Sequence, residues 1–408
     1  MSAGVEVGSR VTRWRGIALL MGPALVASAA YVDPGNVATN TSAGAQFGYL
    51  LVWVIVGANL IAALLQFLSA KLGIVTGQSL PQLLRERLPA PARLAYWGQA
   101  ELVAMATDLA EIVGGALALN LLFGIPLLPG ALITTTVSMI VLAFGRAGFG
   151  RVVVVMLGVV FAGFIAGLLF DLPAAGDLAS GLVPRLQGQE SLLLAVGMLG
   201  ATVMPHAIYA HSALASERHG RVETDRLPRL LAATRTDVGV ALLAAGAVNL
   251  SLLLIGAGAL NGMDGVSSIE GVHEAIGDTL GPVAALCFAV ALLFSGLAST
   301  AVGSYAGSVI MGGLLHRQIP VLVRRLVTAI PALTILAVGA DPTTALIYSQ
   351  VVLSFGIPFA LIPLLVLTSR RSVMGEARNK PATIVAAGAA CVLIVVLNLV
   401  LLVLTFTG

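Results

Sequence analysis

The chain is a succession of long apolar runs separated by short polar stretches. Eleven runs approach or exceed about 20 residues, the length a helix needs to cross a bilayer. They cover 16–46, 48–71, 94–123, 126–145, 150–170, 190–215, 235–260, 282–313, 320–339, 343–367 and 382–405. The first and sixth are interrupted. Asp33-Pro34-Gly35-Asn36 breaks one, and Met204-Pro205-His206 breaks the other. Proline removes a backbone donor and clashes with the preceding helical turn, and glycine loosens the chain further. Lipid tolerates such breaks only where the freed backbone lines a cavity or binds something. Matching breaks in the two halves of a chain point to a transporter's binding site. The Asp, Asn, Met and His side chains at these breaks point to a metal cation as cargo.

Composition agrees with a multi-pass membrane protein. Of the 408 residues, 58% are hydrophobic and 10% charged, against about 25% charged in an ordinary soluble domain. Cys287 and Cys391 both sit in apolar runs, so no disulfide framework is implied. With the runs above, 21 of the 22 basic residues fall on one side of the membrane and only Arg185 on the other. The positive-inside rule then places the N-terminus in the cytoplasm and the C-terminus outside. The opposite loops carry Asp171, Asp177, Glu190, Asp264, Glu270, Glu274, Asp278 and Asp341. These raise local cation concentration modestly or are simply solvated. Arg10, Arg13 and Arg15 before an apolar run ending at Ala27-Ser28-Ala29 resemble a signal peptide. Cleavage there would strip Asp33 of its supporting helix, so the run is read as the first span.

Runs one to five (16–170) and six to ten (190–367) form two halves, with run eleven (382–405) added. An odd number of spans per half inverts the second half relative to the first, and the two breaks then occupy equivalent places. Small residues precede both: Ala27-Ser28-Ala29-Ala30 and Gly200-Ala201-Thr202. Such residues let helices approach closely. The whole chain, 1–408, is read as one transmembrane domain.

The residues also match a known family. Asp33-Pro34-Gly35-Asn36 with Ala38-Thr39-Asn40, Ala201-Thr202-Val203-Met204-Pro205-His206, and the stretch Glu101 to Glu111 in run three carry the match. The chain resembles the Nramp family (natural resistance-associated macrophage proteins), specifically its bacterial proton-coupled manganese transporters. The resemblance implies an all-α membrane fold of eleven transmembrane helices. It implies a LeuT-type 5+5 inverted repeat with helices 1 and 6 unwound at mid-membrane, plus a further C-terminal helix. It also implies alternating access, import of Mn²⁺ or Fe²⁺ with protons, and a bacterial plasma membrane.

The chemistry of the breaks suits such cargo. Asp33 offers a hard anionic oxygen, Asn36 an amide oxygen, and Met204 a soft thioether. The family pattern adds the backbone carbonyls of Ala30 and Ala201. Mixed oxygen and sulfur ligation fits Mn²⁺, Fe²⁺, Co²⁺ and Cd²⁺, whereas Ca²⁺ and Mg²⁺ gain little from sulfur. A carboxylate at a membrane helix centre costs about 2.5–3.5 kcal/mol on insertion scales, which favours function over accident for Asp33. Asn36 also suits a helix cap. Gln350 is an additional oxygen donor or a partner for a neighbouring helix, and Asn249 is assigned to the polar pathway.

Glu101, Asp108 and Glu111, spaced by seven and three, share one helical face. Arg324 and Arg325 stand as candidate partners. The resemblance implies that Asp108 and Glu111 pair with these arginines on a proton route to the cytoplasm. A structural salt bridge locking two helices is the other reading. His206 and His211 are read as gating or proton-pathway residues, with a structural histidine equally weighted for His211. Glu270, His273 and Glu274 match no ligand spacing and are expected in a solvated loop.

No catalytic motif occurs, so the chain is not read as an enzyme. No cofactor is expected beyond the transported ion and proton. The expected partners are the metal ion, protons and lipid, with no nucleic acid, and a functional monomer. A LeuT-type carrier of amino acids, a magnesium carrier and a metal-sensing receptor are the competing readings. An Asp at the break disfavours an anionic cargo, Met204 disfavours magnesium, and the relay carboxylates with paired breaks disfavour a receptor.

Overall fold

The computed structural model describes residues 23–143, 155–165, 175–220, 222, 225–263, 266, 268–315 and 319–407. Arg10, Arg13, Arg15, Arg146, Arg151, Asp171, Arg221, Asp264 and Arg317, with the start of run one and the ends of run five, lie outside the described residues. All regular elements among the described residues are helical.

The first break divides α1 (Pro23–Ser28), which tightens into a 3-10 turn at Ala29–Val32, from α2 (Pro34–Phe47). Then come α3 (Val52–Thr76), α4 (Leu80–Arg87), α5 (Ala90–Phe123), α6 (Leu127–Ala143), α7 (Val155–Ile165) and α8 (Ala175–Gly181). The second break separates α9 (Gly188–Thr202) from α10 (Pro205–His219). The remainder is α11 (Leu227–Ile255), α12 (Ile269–Leu280), α13 (Pro282–Leu315), α14 (Val321–Ala337), α15 (Pro342–Ser369), α16 (Arg371–Met374) and α17 (Pro381–Thr407). Proline sits in the first turn of α2, α10, α11 and α15. There its missing N–H is one that a helix start leaves unpaired anyway. Gly77 and Gly124 close α3 and α5 in the left-handed conformation (φ 68° and 66°), the usual glycine stop.

Among the described residues, seven helical runs are long and apolar enough to cross a membrane. The difference from eleven has local causes. Val52–Thr76 follows Pro34–Phe47 after a single 3-10 turn, so Pro34–Thr76 counts as one run of 43 residues. Among the described residues, α6 and α14 reach 17 residues each and α7 (Val155–Ile165) is shorter still. Boundaries also moved: α11 begins at Leu227 rather than 235, because helix continues through Arg229 and Arg235 beyond the apolar stretch. The guanidinium of Arg235 lies over the Phe67 ring, 4.9 Å from its centre.

Burial ranks the helices. The most apolar windows of Ala90–Phe123 and Gly188–His219 are 89% and 94% buried, against 22% for Pro381–Thr407. Helices α5, α9 and α10 therefore form the centre and α17 the periphery. Helix α5 packs on α13, α6, α14 and α15, while α3 packs on α10 and α11. Both breaks lie within this centre.

Candidate metal site and carboxylate row

The first break follows from Pro34. A residue before proline avoids helical geometry, and Asp33 is extended (φ −87°, ψ 170°). Its carboxylate turns back to cap α2: Oδ1 accepts from Asn36 N and from Asn36 Nδ2, both at 2.8 Å. Asp33 Oδ2 is buried and has no hydrogen-bond partner among the described residues. The unwound carbonyls just before it borrow donors from other helices. Asn249 Nδ2 of α11 donates to Tyr31 O at 2.9 Å, and Ser295 Oγ of α13 donates to Val32 O at 2.6 Å.

The second break repeats the logic around Pro205, with Met204 extended (φ −70°, ψ 121°). In a continuous helix the N–H of residue 205 would bond Ala201 O; proline has none. Asn36 Nδ2 supplies that bond, at 3.0 Å. The Asn36 amide thus joins the Asp33 carboxylate to the Ala201 carbonyl across the two breaks. Thr202 Oγ1 donates to Asn36 Oδ1 at 3.5 Å. Asp33, Asn36, Ala30, Ala201, Met204 and Gln350 are all fully buried.

Gln350 meets both breaks. A Cβ added at Gly35 would fall 1.9 Å from Gln350 Nε2, and one at Gly200 would fall 1.9 Å from Gln350 O. Only glycine allows either approach. Gln350 Nε2 donates to Ser349 Oγ at 3.0 Å, while its Oε1 has no partner among the described residues. No group of three His, Cys, Asp or Glu side chains that could hold a metal occurs among the described residues. The candidate donors are instead one carboxylate with amide, thioether and backbone groups.

The carboxylates of α5 form a row, with one correction to the expected pairing. Arg325 takes both Asp108 and Glu111, the latter at 3.1 Å. Arg324 takes Glu101 through two contacts, Nε to Oε1 at 3.3 Å and Nη2 to Oε2 at 3.0 Å. Neighbouring residues on a helix point about 100° apart, so the two arginines face different turns of α5. Thr328 donates to Asp108, Thr300 Oγ1 lies 3.3 Å from Arg325 Nη2, and Trp97 Nε1 donates to Glu101 at 3.1 Å. Gly307 makes room for the Arg324 guanidinium, which an added Cβ would meet at 1.8 Å. Gly114, one turn beyond Glu111, admits Pro34: a Cβ there would lie 2.1 Å from Pro34 Cβ. The row and the first break are therefore in contact.

His206 Nδ1 lies 3.3 Å from Thr107 Oγ1, whose hydroxyl donates to Val103 O at 3.0 Å. Histidine is then the donor. His211 Nδ1 lies 2.6 Å from Gln66 Oε1, and Gln66 Nε2 donates to the Tyr31 hydroxyl. Sequence reasoning missed Gln66, Tyr31, Thr107, Ser295 and Thr328. Gln66 had a usable signal, since a carboxamide inside an apolar span needs a partner. Glu270, His273 and Glu274 lie on α12 and not in a loop. Ser268 caps that helix by accepting from Gly271 N at 3.1 Å.

The family model described as natural resistance-associated macrophage protein-like matches residues 24–404. The chain belongs to the Nramp family. The Nramp fold spreads over nearly the whole sequence. The divalent metal cation transporter MntH of Mycobacterium tuberculosis is 54% identical over 394 residues, covering 95% of this chain and 92% of its own. The Bacillus subtilis protein of the same name is 45% identical over 404 residues, covering 97% and 95%. The manganese transporter of Eremococcus coleocola superposes with a TM-score of 0.85 at 32% identity, over 95% of this chain and 86% of that one. Mhp1, a nucleobase-cation-symport-1 family transporter, is 16% identical with a TM-score of 0.65 over 94% and 91%. That likeness is one of fold.

Proposed function

We propose that this Nramp chain imports divalent transition-metal ions, Mn²⁺ foremost and also Fe²⁺, Co²⁺ and Cd²⁺, together with protons. Transport runs across the plasma membrane by alternating access. The carrying observation is the Asn36 amide bonded at once to Asp33 and to the Ala201 carbonyl, which joins the two breaks. A carboxylate and a backbone oxygen that share one donor are a pair a cation would serve better. Metal entry would turn the Asn36 amide so that Oδ1 replaces Nδ2, with Met204, Ala30 O and Gln350 completing the shell. The Met204 sulfur favours transition metals over Mg²⁺ and Ca²⁺.

A divalent ion beside Asp33 favours its ionised form, so proton and metal compete there. In this reading the displaced proton leaves by Glu111, Asp108 and Arg325, the first of which lies one helical turn from where Pro34 of the first break packs on Gly114. Glu101 and Arg324 lie further along the row, and His206 and His211 gate the path beside α10. The inside-negative potential assists entry by roughly 2.3 kcal/mol per charge per 100 mV. Eleven spans in two inverted halves, a cytoplasmic N-terminus, an external C-terminus and a functional monomer complete the proposal. The chain acts as a transporter and not as an enzyme. Asp33→Ala should abolish Mn²⁺ uptake in proteoliposomes; robust uptake by that variant would sink the assignment.

A further inference from the structure

Two prolines stand inside α15, Pro358 and Pro363. A helical N–H bonds the carbonyl four residues back, so these prolines leave Ser354 O and Phe359 O without their usual donors. Both carbonyls are served from other helices. Asn398 Nδ2 of α17 donates to Ser354 O at 3.3 Å, and the Tyr209 hydroxyl of α10 donates to Phe359 O at 3.3 Å. The Ser354 hydroxyl in turn lies 2.6 Å from Asn398 Oδ1.

Neither donor is at the surface. Asn398 is buried in a helix whose neighbouring positions Val396, Leu399 and Val400 are exposed. A carboxamide facing inward from such a peripheral apolar helix needs a partner, and α15 provides it. Tyr209 is buried on the helix that begins just after Met204.

The stretch they hold is the one that meets both breaks. Gln350 lies one turn before Ser354 and packs on Gly35 and Gly200. An added Cβ at Gly200 would also lie 2.9 Å from Ser354 N, and one at Gly356 would lie 3.1 Å from Pro205 Cγ. A proline is where a helix bend belongs, and Pro358 frees Ser354 O one turn after Gln350, so the way that carbonyl is answered bears on where the Gln350 carboxamide sits.

We propose that Asn398 and Tyr209 are positioning residues for metal transport. They supply the bonds that Pro358 and Pro363 withhold, and so fix the bend that presents Gln350 at the two breaks. The Tyr209 bond also ties that bend to the helix carrying the second break. This inference rests on the reading of Gln350 as a metal-facing group.

The test is a double-mutant cycle in proteoliposomes holding the full chain. Mn²⁺ KM and Vmax are measured for Gln350→Ala, Asn398→Leu and Tyr209→Phe, and for each of the last two combined with Gln350→Ala. Thermal unfolding is followed in parallel. Each single variant should raise KM roughly three- to tenfold, the scale of one hydrogen bond. In the Gln350→Ala background the other two should add nothing further, because residues acting through a shared group are not additive. Tyr209→Phe removes one hydroxyl from an otherwise unchanged ring and keeps the test open if Asn398→Leu folds poorly. Independent, multiplying increases would overturn the inference, as would lower Vmax and melting temperature at constant KM. An unchanged KM in Gln350→Ala would remove the site reading and this inference with it. A raised KM in that variant alone would remove only the inference.

Discussion

Two groups of buried carboxylates lie in contact through Pro34 and Gly114, and they are handled in opposite ways. Asp108 and Glu111 share the guanidinium of Arg325, which is 1% exposed. Among the described residues Asp33 has no cation beside it: Oδ1 is held by Asn36, and Oδ2 has no partner. A charge in a low-dielectric interior is tolerated when paired and costly when not. The row on α5 therefore carries cations of its own, two guanidiniums for three carboxylates, with Glu111 Oε1 left without a hydrogen-bond partner; among the described residues the first break has none, and a transported cation can supply one. The contrast separates a place built to receive cargo from a place built to hold its own ions.

Substitutions should divide along that line. Asp33→Asn keeps shape and removes charge; it should lower Mn²⁺ uptake by at least two orders of magnitude while leaving thermal stability equal or higher. Uptake assays and melting curves on the same preparation read both effects. Arg325→Ala should do the reverse to stability, because Asp108 and Glu111 are left buried without their partner. Breaking such a pair from one side costs about 3–5 kcal/mol, visible as a large drop in melting temperature. Arg324→Ala should cost less than that, since the Glu101 side chain is 13% exposed and can be hydrated.

Smaller effects sharpen the receiving side. Met204→Ala should retain Mn²⁺ transport but lose about tenfold in discrimination against Mg²⁺, equivalent to ~1.4 kcal/mol. Competition of Mg²⁺ against labelled Mn²⁺ measures it. Gly35→Ala forces a methyl into the Gln350 carboxamide. Overpacking of this kind costs about 1–3 kcal/mol, and KM for Mn²⁺ should rise with little change in Vmax.

Much of this is legible in the sequence. The apolar runs define the helices, and the two proline breaks define where the chain opens. Proline arithmetic also points to particular carbonyls: Pro205 frees Ala201 O, as Pro358 frees Ser354 O. What the sequence does not carry is the donor that answers each freed carbonyl. Asn36 lies 165 residues from Ala201, Asn398 lies 44 from Ser354, and Tyr209 lies 150 from Phe359. Those partnerships depend on which apolar helices pack together, and apolar faces look alike in sequence. The same gap explains the arginines. Adjacent in sequence, Arg324 and Arg325 suggest one shared pair of acids; helical geometry sends them to different turns of α5. Helix ends shifted where polar residues continue a helix past its apolar part, as at Leu227.

The most direct measurement is Mn²⁺ uptake into sealed proteoliposomes with lumenal pH followed in parallel, under excess Ca²⁺ and Mg²⁺. It is made on the unaltered chain and on Asp33→Asn. The unaltered chain should accumulate Mn²⁺ despite the competitors and acidify the lumen, and Asp33→Asn should do neither. Uptake by Asp33→Asn at the unaltered rate, or uptake by the unaltered chain erased equally by Mg²⁺, would contradict the account.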